Sequence, residues 1–159
     1  MSKPRYNWWP FVLAIIRDYP DRCKRLKDLR QQSTVANNSG MPKGGGSSRA
    51  AENVATRQLP RQEHREYEAV HRAWGITATM KNGKIRQEII SLTMWKGYHV
   101  DGAALLVHES PSTTRRYRWQ FIMLVAHMYG FLDAEEYAAA IKKDVAKKIL
   151  ECQSQKNVQ

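Results

Sequence analysis

From residue 111 onward the residues able to pack, Thr114, Tyr117, Phe121, Leu124, Val125 and Met128, recur three and four apart, the spacing that gathers one buried face on a helix. Ser112, Arg115, Arg116 and Trp119 fall on the opposite face, with Arg118 on the flank. Ser110 suits the N-cap, where a side-chain oxygen accepts from an amide two or three residues on. Pro111 suits the first helical position, where its missing N–H costs nothing. Upstream, Ala103, Ala104, Leu105 and Val107 predict a shorter helix with Asp101 as its N-cap and small residues where two helices must approach closely. Residues 101–130 thus have the layout of a helix-turn-helix, in which the second helix enters the DNA major groove and the first braces it. A plainer alternative stands beside it: any small helical protein joins helices by short turns, and arginines on a helix are usually a solvated face.

The same periodicity predicts helices elsewhere. Trp8, Trp9, Val12, Ile15, Ile16 and Tyr19 lie at helical spacing over residues 6–18; Pro20 is expected to close that helix, and DRCKRLKDLRQQ to resume as a basic one. Two adjacent tryptophans on one turn cannot both point inward, which leaves one for another subunit, although anchoring a small hydrophobic cluster is the favoured role. Residues 32–48, QSTVANNSGMPKGGGSS, form a flexible tether. It is not a phosphate loop, because no strand precedes it and no Lys-Ser or Lys-Thr pair follows. A helix restarts at Ser47 or Ser48, Pro60 interrupts, and RQEHREYEAVHRAWGI follows, with Tyr67, Val70 and Trp74 on one face and Arg61, Arg65 and Arg72 on the other.

Gly75, Asn82 and Gly83 mark a connector over residues 75–82. KIRQEIISLTMWKGY then places Ile85, Ile89, Leu92 and either Met94 or Trp95 on one face, ending at Gly97. Lys81, Lys84 and Arg86 stand at the start of that helix, where cations oppose the macrodipole, so they point to a phosphate contact. Gly130 is expected to cap the long helix, and Asp133 to start a last one with Tyr137, Ile141, Val145 and Ile149 on one face. No stretch alternates long enough for a sheet. The expected fold class is all-α: an N-terminal helical arm (1–31), a flexible Gly/Ser linker (32–47), a helical DNA-binding domain (48–132) with the helix-turn-helix at 101–130, and a C-terminal amphipathic helix with a frayed tail (133–159).

Charge sharpens the picture. A formal net charge of +11 points to a polyanionic partner. Nucleic acid fits better than a membrane surface, since no basic stretch is joined to a strongly apolar helix face. Residues 1–32 hold eight Lys or Arg against three acids, whereas residues 133–159 hold five of each, so the excess lies outside the tail. The apolar run YNWWPFVLAII is broken by Pro10 and by the charges from Arg17 on. It is too short to span a membrane and lacks a cleavage site, so neither anchor nor signal peptide is expected. Cys23 and Cys152 are in no metal or redox spacing and read as free thiols in a reducing cytoplasm. His64 and His71 lack a third ligand, and no paired carboxylates or nucleophile–His pair stands out. A non-enzyme without cofactor or metal is expected.

The run from Lys84 through Gly130 resembles the C-terminal helix-turn-helix of phage late-gene transcriptional activators of the ArpU and RinA type, itself similar to the sigma-factor part that reads the upstream promoter element. The resemblance rests on IRQEIISLTMWKG, GAALLVHES, a Ser-x-x-Thr turn from Ser110 to Thr113, RRYRWQFI and a VAHMYG ending. YNWWPFVLAIIRDYP and LPRQEHREYEAV also resemble segments of that family. It implies a sigma-region-4-like fold and a sequence-specific DNA-binding regulator of late genes, encoded by a phage or prophage and working in the bacterial cytoplasm. The glycine-rich tether and the extended last helix are not marks of that family.

On the residues themselves, Arg115 and Arg116 are the expected base-edge or close phosphate contacts. Ser110, Ser112, Thr113 and the amides at the helix start would hold phosphates. Arg118 and Trp119 are second-rank contacts, and Lys81, Lys84 and Arg86 an outlying set. The expected partners are double-stranded DNA, with RNA polymerase and a second copy (through the N-terminal arm or the C-terminal helix) as further candidates. A phage DNA-packaging component of the small-terminase kind, assembling as a ring, and a helical protein-interaction module are the competing functions.

Overall fold

The computed structural model describes residues 6–35 and 59–142, and among these every regular element is helical. In chain order they are α1 (Trp9–Val35), α2 (Arg61–Thr79), α3 (Gly83–Ile90) running into a π-helical turn (Ser91–Trp95), α4 (Val100–Leu106), α5 (Pro111–Tyr129) and α6 (134–142). α1 extends to Val35, so the first four residues of the tether predicted over 32–48 are helical instead; the rest of that tether, the helix expected before Leu59, Cys152 and the second half of the last predicted helix lie outside the described residues.

The core is built around α5. Phe121, Ile122, Met123, Leu124, Val125 and Ala126 are each at most 3 % exposed, so this half of the helix is apolar all round and is enclosed by other elements. Val12, Ile15, Ile16 and Tyr19 of α1, Val70 and Ala73 of α2, and Ile90 with Met94 belong to the same cluster. The first half of α1 is therefore a wall of the core rather than a detached arm. Both tryptophans at its head are half-buried, Trp8 stacking on Tyr6 and Phe131 with ring centroids 4.7 and 6.0 Å apart. They share the cluster because Trp8 stands in the turn before the first helical residue, Trp9, where the angular rule for helix neighbours does not apply.

α1 also runs through Pro20, where closure was expected. An internal proline removes the bond to the carbonyl four residues back. Here that carbonyl belongs to Ile16, and the Trp95 indole Nε1 donates to it at 2.8 Å. Arg22 donates to the neighbouring Ile15 carbonyl at 3.5 Å. An outside donor replaces the lost ladder bond, so the helix continues. Trp95 reaches inward from a π turn, in which the Lys96 N–H bonds to the Ser91 carbonyl at 3.0 Å. The extra residue in that turn lets Leu92 and Met94, each 6 % exposed, and half-buried Trp95 all face the interior. A regular period admits only one of Met94 and Trp95.

α2 continues past Gly75 to Thr79, because buried Ala73 and Thr77 on either side outweigh the modest helix penalty of an exposed glycine. Asn82 then turns the chain at a left-handed φ of 60°. Gly83 allows α3 to start against the end of α2, since a Cβ there would lie 2.2 Å from the Ala78 carbonyl oxygen. α4 is capped by His99, whose ring accepts from the Asp101 N–H at 3.5 Å; Asp101, expected as the cap, sits inside the first turn. Gly130 closes α5 at φ 99°, as expected. At the head of α6, Asp133 and Glu136 accept each other's backbone N–H at 2.7 and 3.2 Å, a capping box.

Candidate nucleic-acid interface

α4 and α5 are joined by a short turn in which His108 takes a left-handed φ of 56°. Ser110 caps α5 as its residue type dictates, its Oγ accepting the Thr113 N–H at 3.1 Å and lying 3.0 Å from the Ser112 hydroxyl. Pro111 has no amide, and the amides of Thr113 and Thr114 are both taken by Ser110. The expected phosphate-holding amides therefore reduce to that of Ser112, beside its exposed hydroxyl.

The first half of α5 has an outer face that the second half lacks. Ser112 and Arg115 are exposed, Thr113, Arg116, Arg118 and Trp119 half-buried, and Thr114 and Tyr117 buried. Arg115 reaches back across the turn to Asp101, Nη2 to Oδ1 at 3.1 Å, tying the head of α5 to that of α4. Trp119 packs against the edge of the core, which assigns its ring to packing.

Arg116 and Arg118 differ by two positions and so leave α5 on opposite flanks. On one flank, the start of α3 is drawn in beside them. Arg86 lies 4.0 Å over the Tyr117 ring, donates to Gln120 Oε1 at 2.7 Å and to the Lys81 carbonyl at 2.9 Å, and Asn82 donates to the Tyr117 hydroxyl at 3.4 Å. Arg86, expected to contact phosphate, is thus bound within the protein and positions its neighbours; Lys81 and Lys84 stay exposed. Burial lowers the Arg86 pKa, Tyr117 offsets part of that, and the positive charge of Arg116 lowers it further.

On the other flank, burial and then the charge of Arg17 in α1 lower the pKa of Arg118. The Nε atoms of Arg116 and Arg118 are buried and have no hydrogen-bond partner among the described residues. Arg17 was missing from the sequence-predicted set. Its own neighbourhood in the chain carries no signal, and only the packing of α1 against α5 brings it to Arg118.

Among the described residues no three His, Cys, Asp or Glu side chains gather as a metal site, and no helix is long and apolar enough to cross a membrane. Comparison with protein-family models, curated proteins and solved structures returns no match.

Proposed function

We propose that this chain is a sequence-specific DNA-binding regulator that sets the first half of α5 in the major groove of duplex DNA. The observation that carries it is the set of cations on and beside the first half of α5: Arg115 is exposed, and Arg86 and Arg116 lie 4.0 and 5.4 Å from the same Tyr117 ring. Arg17 stands beside Arg118 on one flank and Arg86 beside Arg116 on the other, while Asp101 is ion-paired to Arg115 between them. Such crowding costs stability, and a partner bearing phosphates offsets it. Arg115 and Arg116 read base edges, a bidentate arginine–guanine pair being worth roughly 1–3 kcal/mol of discrimination. Arg17, Arg118, Lys81 and Lys84 take phosphates on the two sides, with the Ser112 hydroxyl at the helix head. The resemblance to phage late-gene activators supplies the biological role, activation of late genes in a bacterial host with RNA polymerase as protein partner. No catalytic step is assigned.

Selection of bound sequences from random duplex DNA, followed by gel shift with the selected duplex, tests the reading. The Arg115→Ala, Arg116→Ala double variant is expected to bind at least tenfold more weakly at an unchanged melting temperature. Undiminished binding by that variant removes α5 as the reader.

A further inference from the structure

α2 carries a second set of basic side chains that the interface on α5 leaves unused. Arg61, His64, Arg65 and Arg72 recur at helical spacing and share one stripe of the helix. They line a cleft of about 930 Å³, a size typical of small-molecule sites. Its apolar part comes from Leu59 and Ala69, both buried, and half-buried Met128 near the end of α5. Met128 lies about 24 Å along the helix axis from Ser112, so the cleft is remote from the head of α5.

Charge in the cleft is unevenly compensated. Glu68, the acid among the described lining residues, pairs with Arg72 at 3.3 Å. Arg65 is held in place without being neutralised: its Nη2 donates to the Tyr129 carbonyl at 2.9 Å, and its guanidinium lies 4.7 Å over the Tyr129 ring. Arg61 and His64 are exposed and have no ion pair among the described residues. Arg61 and Arg65 stand four apart, where like charges oppose each other, and Pro60 gives the positive end of α2 no side-chain cap. We infer that this cleft binds an organic phosphate of nucleotide size. Its phosphates lie against Arg61 and Arg65, whose planar forks match phosphate oxygens two at a time, and its carbon-bearing part covers Leu59, Ala69 and Met128. An inorganic anion would leave that apolar floor wet. A rigid duplex, with its phosphates on a convex surface, would not reach it.

Calorimetric titration of the full chain at fixed low salt, with magnesium-free ATP and separately with pyrophosphate, tests this apart from any DNA reading. ATP is expected to bind saturably, one molecule per chain, and about tenfold more tightly than pyrophosphate because only ATP covers the apolar floor. Arg61→Gln is expected to weaken ATP about tenfold, with unchanged helical circular dichroism because the side chain is exposed. Should that variant melt early, Arg61→Lys, which keeps the charge but not the fork, is expected to weaken ATP about threefold. The Arg115→Ala, Arg116→Ala variant is expected to keep its ATP affinity, so failure of the DNA reading leaves this result standing. Four results overturn the inference: no saturable ATP binding, equal ATP affinity in the Arg61 variants, pyrophosphate binding as tightly as ATP, or a loss in the α5 double variant as large as in Arg61→Gln.

Discussion

Glu66, 5 % exposed, meets Arg22, 6 % exposed, and Gln62 donates to its second oxygen at 3.2 Å. Removing the carboxylate leaves a buried guanidinium with only the Ile15 carbonyl and the exposed Asp18 carboxylate 3.8 Å away, which costs more than the pair itself contributes. Glu66→Ala is expected to lower unfolding free energy by about 3–5 kcal/mol, and the Arg22→Met, Glu66→Leu pair by much less. Urea denaturation separates the two cases; a loss below about 1 kcal/mol for the single variant would mean that water reaches Arg22. A second residue-scale effect concerns pH. Burial, then a hydrogen bond to Cys23, raises the Tyr19 pKa well above its ordinary 10.0; burial raises those of Tyr67 and Tyr137 in the same direction. A raised folded-state pKa gives stability that is complete below the unfolded value and lost as pH climbs toward the folded one. Stability is therefore expected to hold through neutral pH and to fall above about pH 10, less steeply in Tyr19→Phe, as read by chemical denaturation across pH.

At the scale of elements, the passage of α1 through Pro20 depends on a donor from another part of the chain. Trp95→Phe keeps an aromatic side chain but removes the N–H together with the second ring, leaving the Ile16 carbonyl without its 2.8 Å partner. The expected cost is about 1–3 kcal/mol, the penalty of an unsatisfied buried acceptor. Pro20→Ala restores the backbone N–H four residues on, so Trp95→Phe made in that background is expected to cost clearly less. A double-mutant cycle with no coupling would show that the indole bond does not compensate for the proline. The π turn before Trp95 belongs to the same device, since its extra residue turns the indole toward α1.

For the whole molecule, the proposed interface draws cations from three helices rather than from one motif. With Arg17, Arg118, Lys81 and Lys84 on phosphates, the slope of log affinity against log salt is expected to be about −4. Arg17→Ala should reduce its magnitude by about 1 and weaken binding to all sequences alike. An unchanged slope would remove α1 from the interface.

What the sequence determined by itself was local. Ser110 as cap, Pro111 after it, Gly130 as terminator, the buried face of Thr114, Tyr117 and Phe121 in the first half of α5 and the helical class of the described residues depend on residues within a turn or two of one another. Side-chain periodicity and capping act over that distance and can be read from the residues in order. The tertiary structure alone decided the rest: that α1 survives Pro20, that Met94 and Trp95 both turn inward, that Arg86 is held by Tyr117 and Gln120, and that Arg17 stands beside Arg118. Each of these depends on a donor, ring or charge supplied from a distant part of the chain. Local periodicity contains no term for such a partner, because it acts only once the helices have packed.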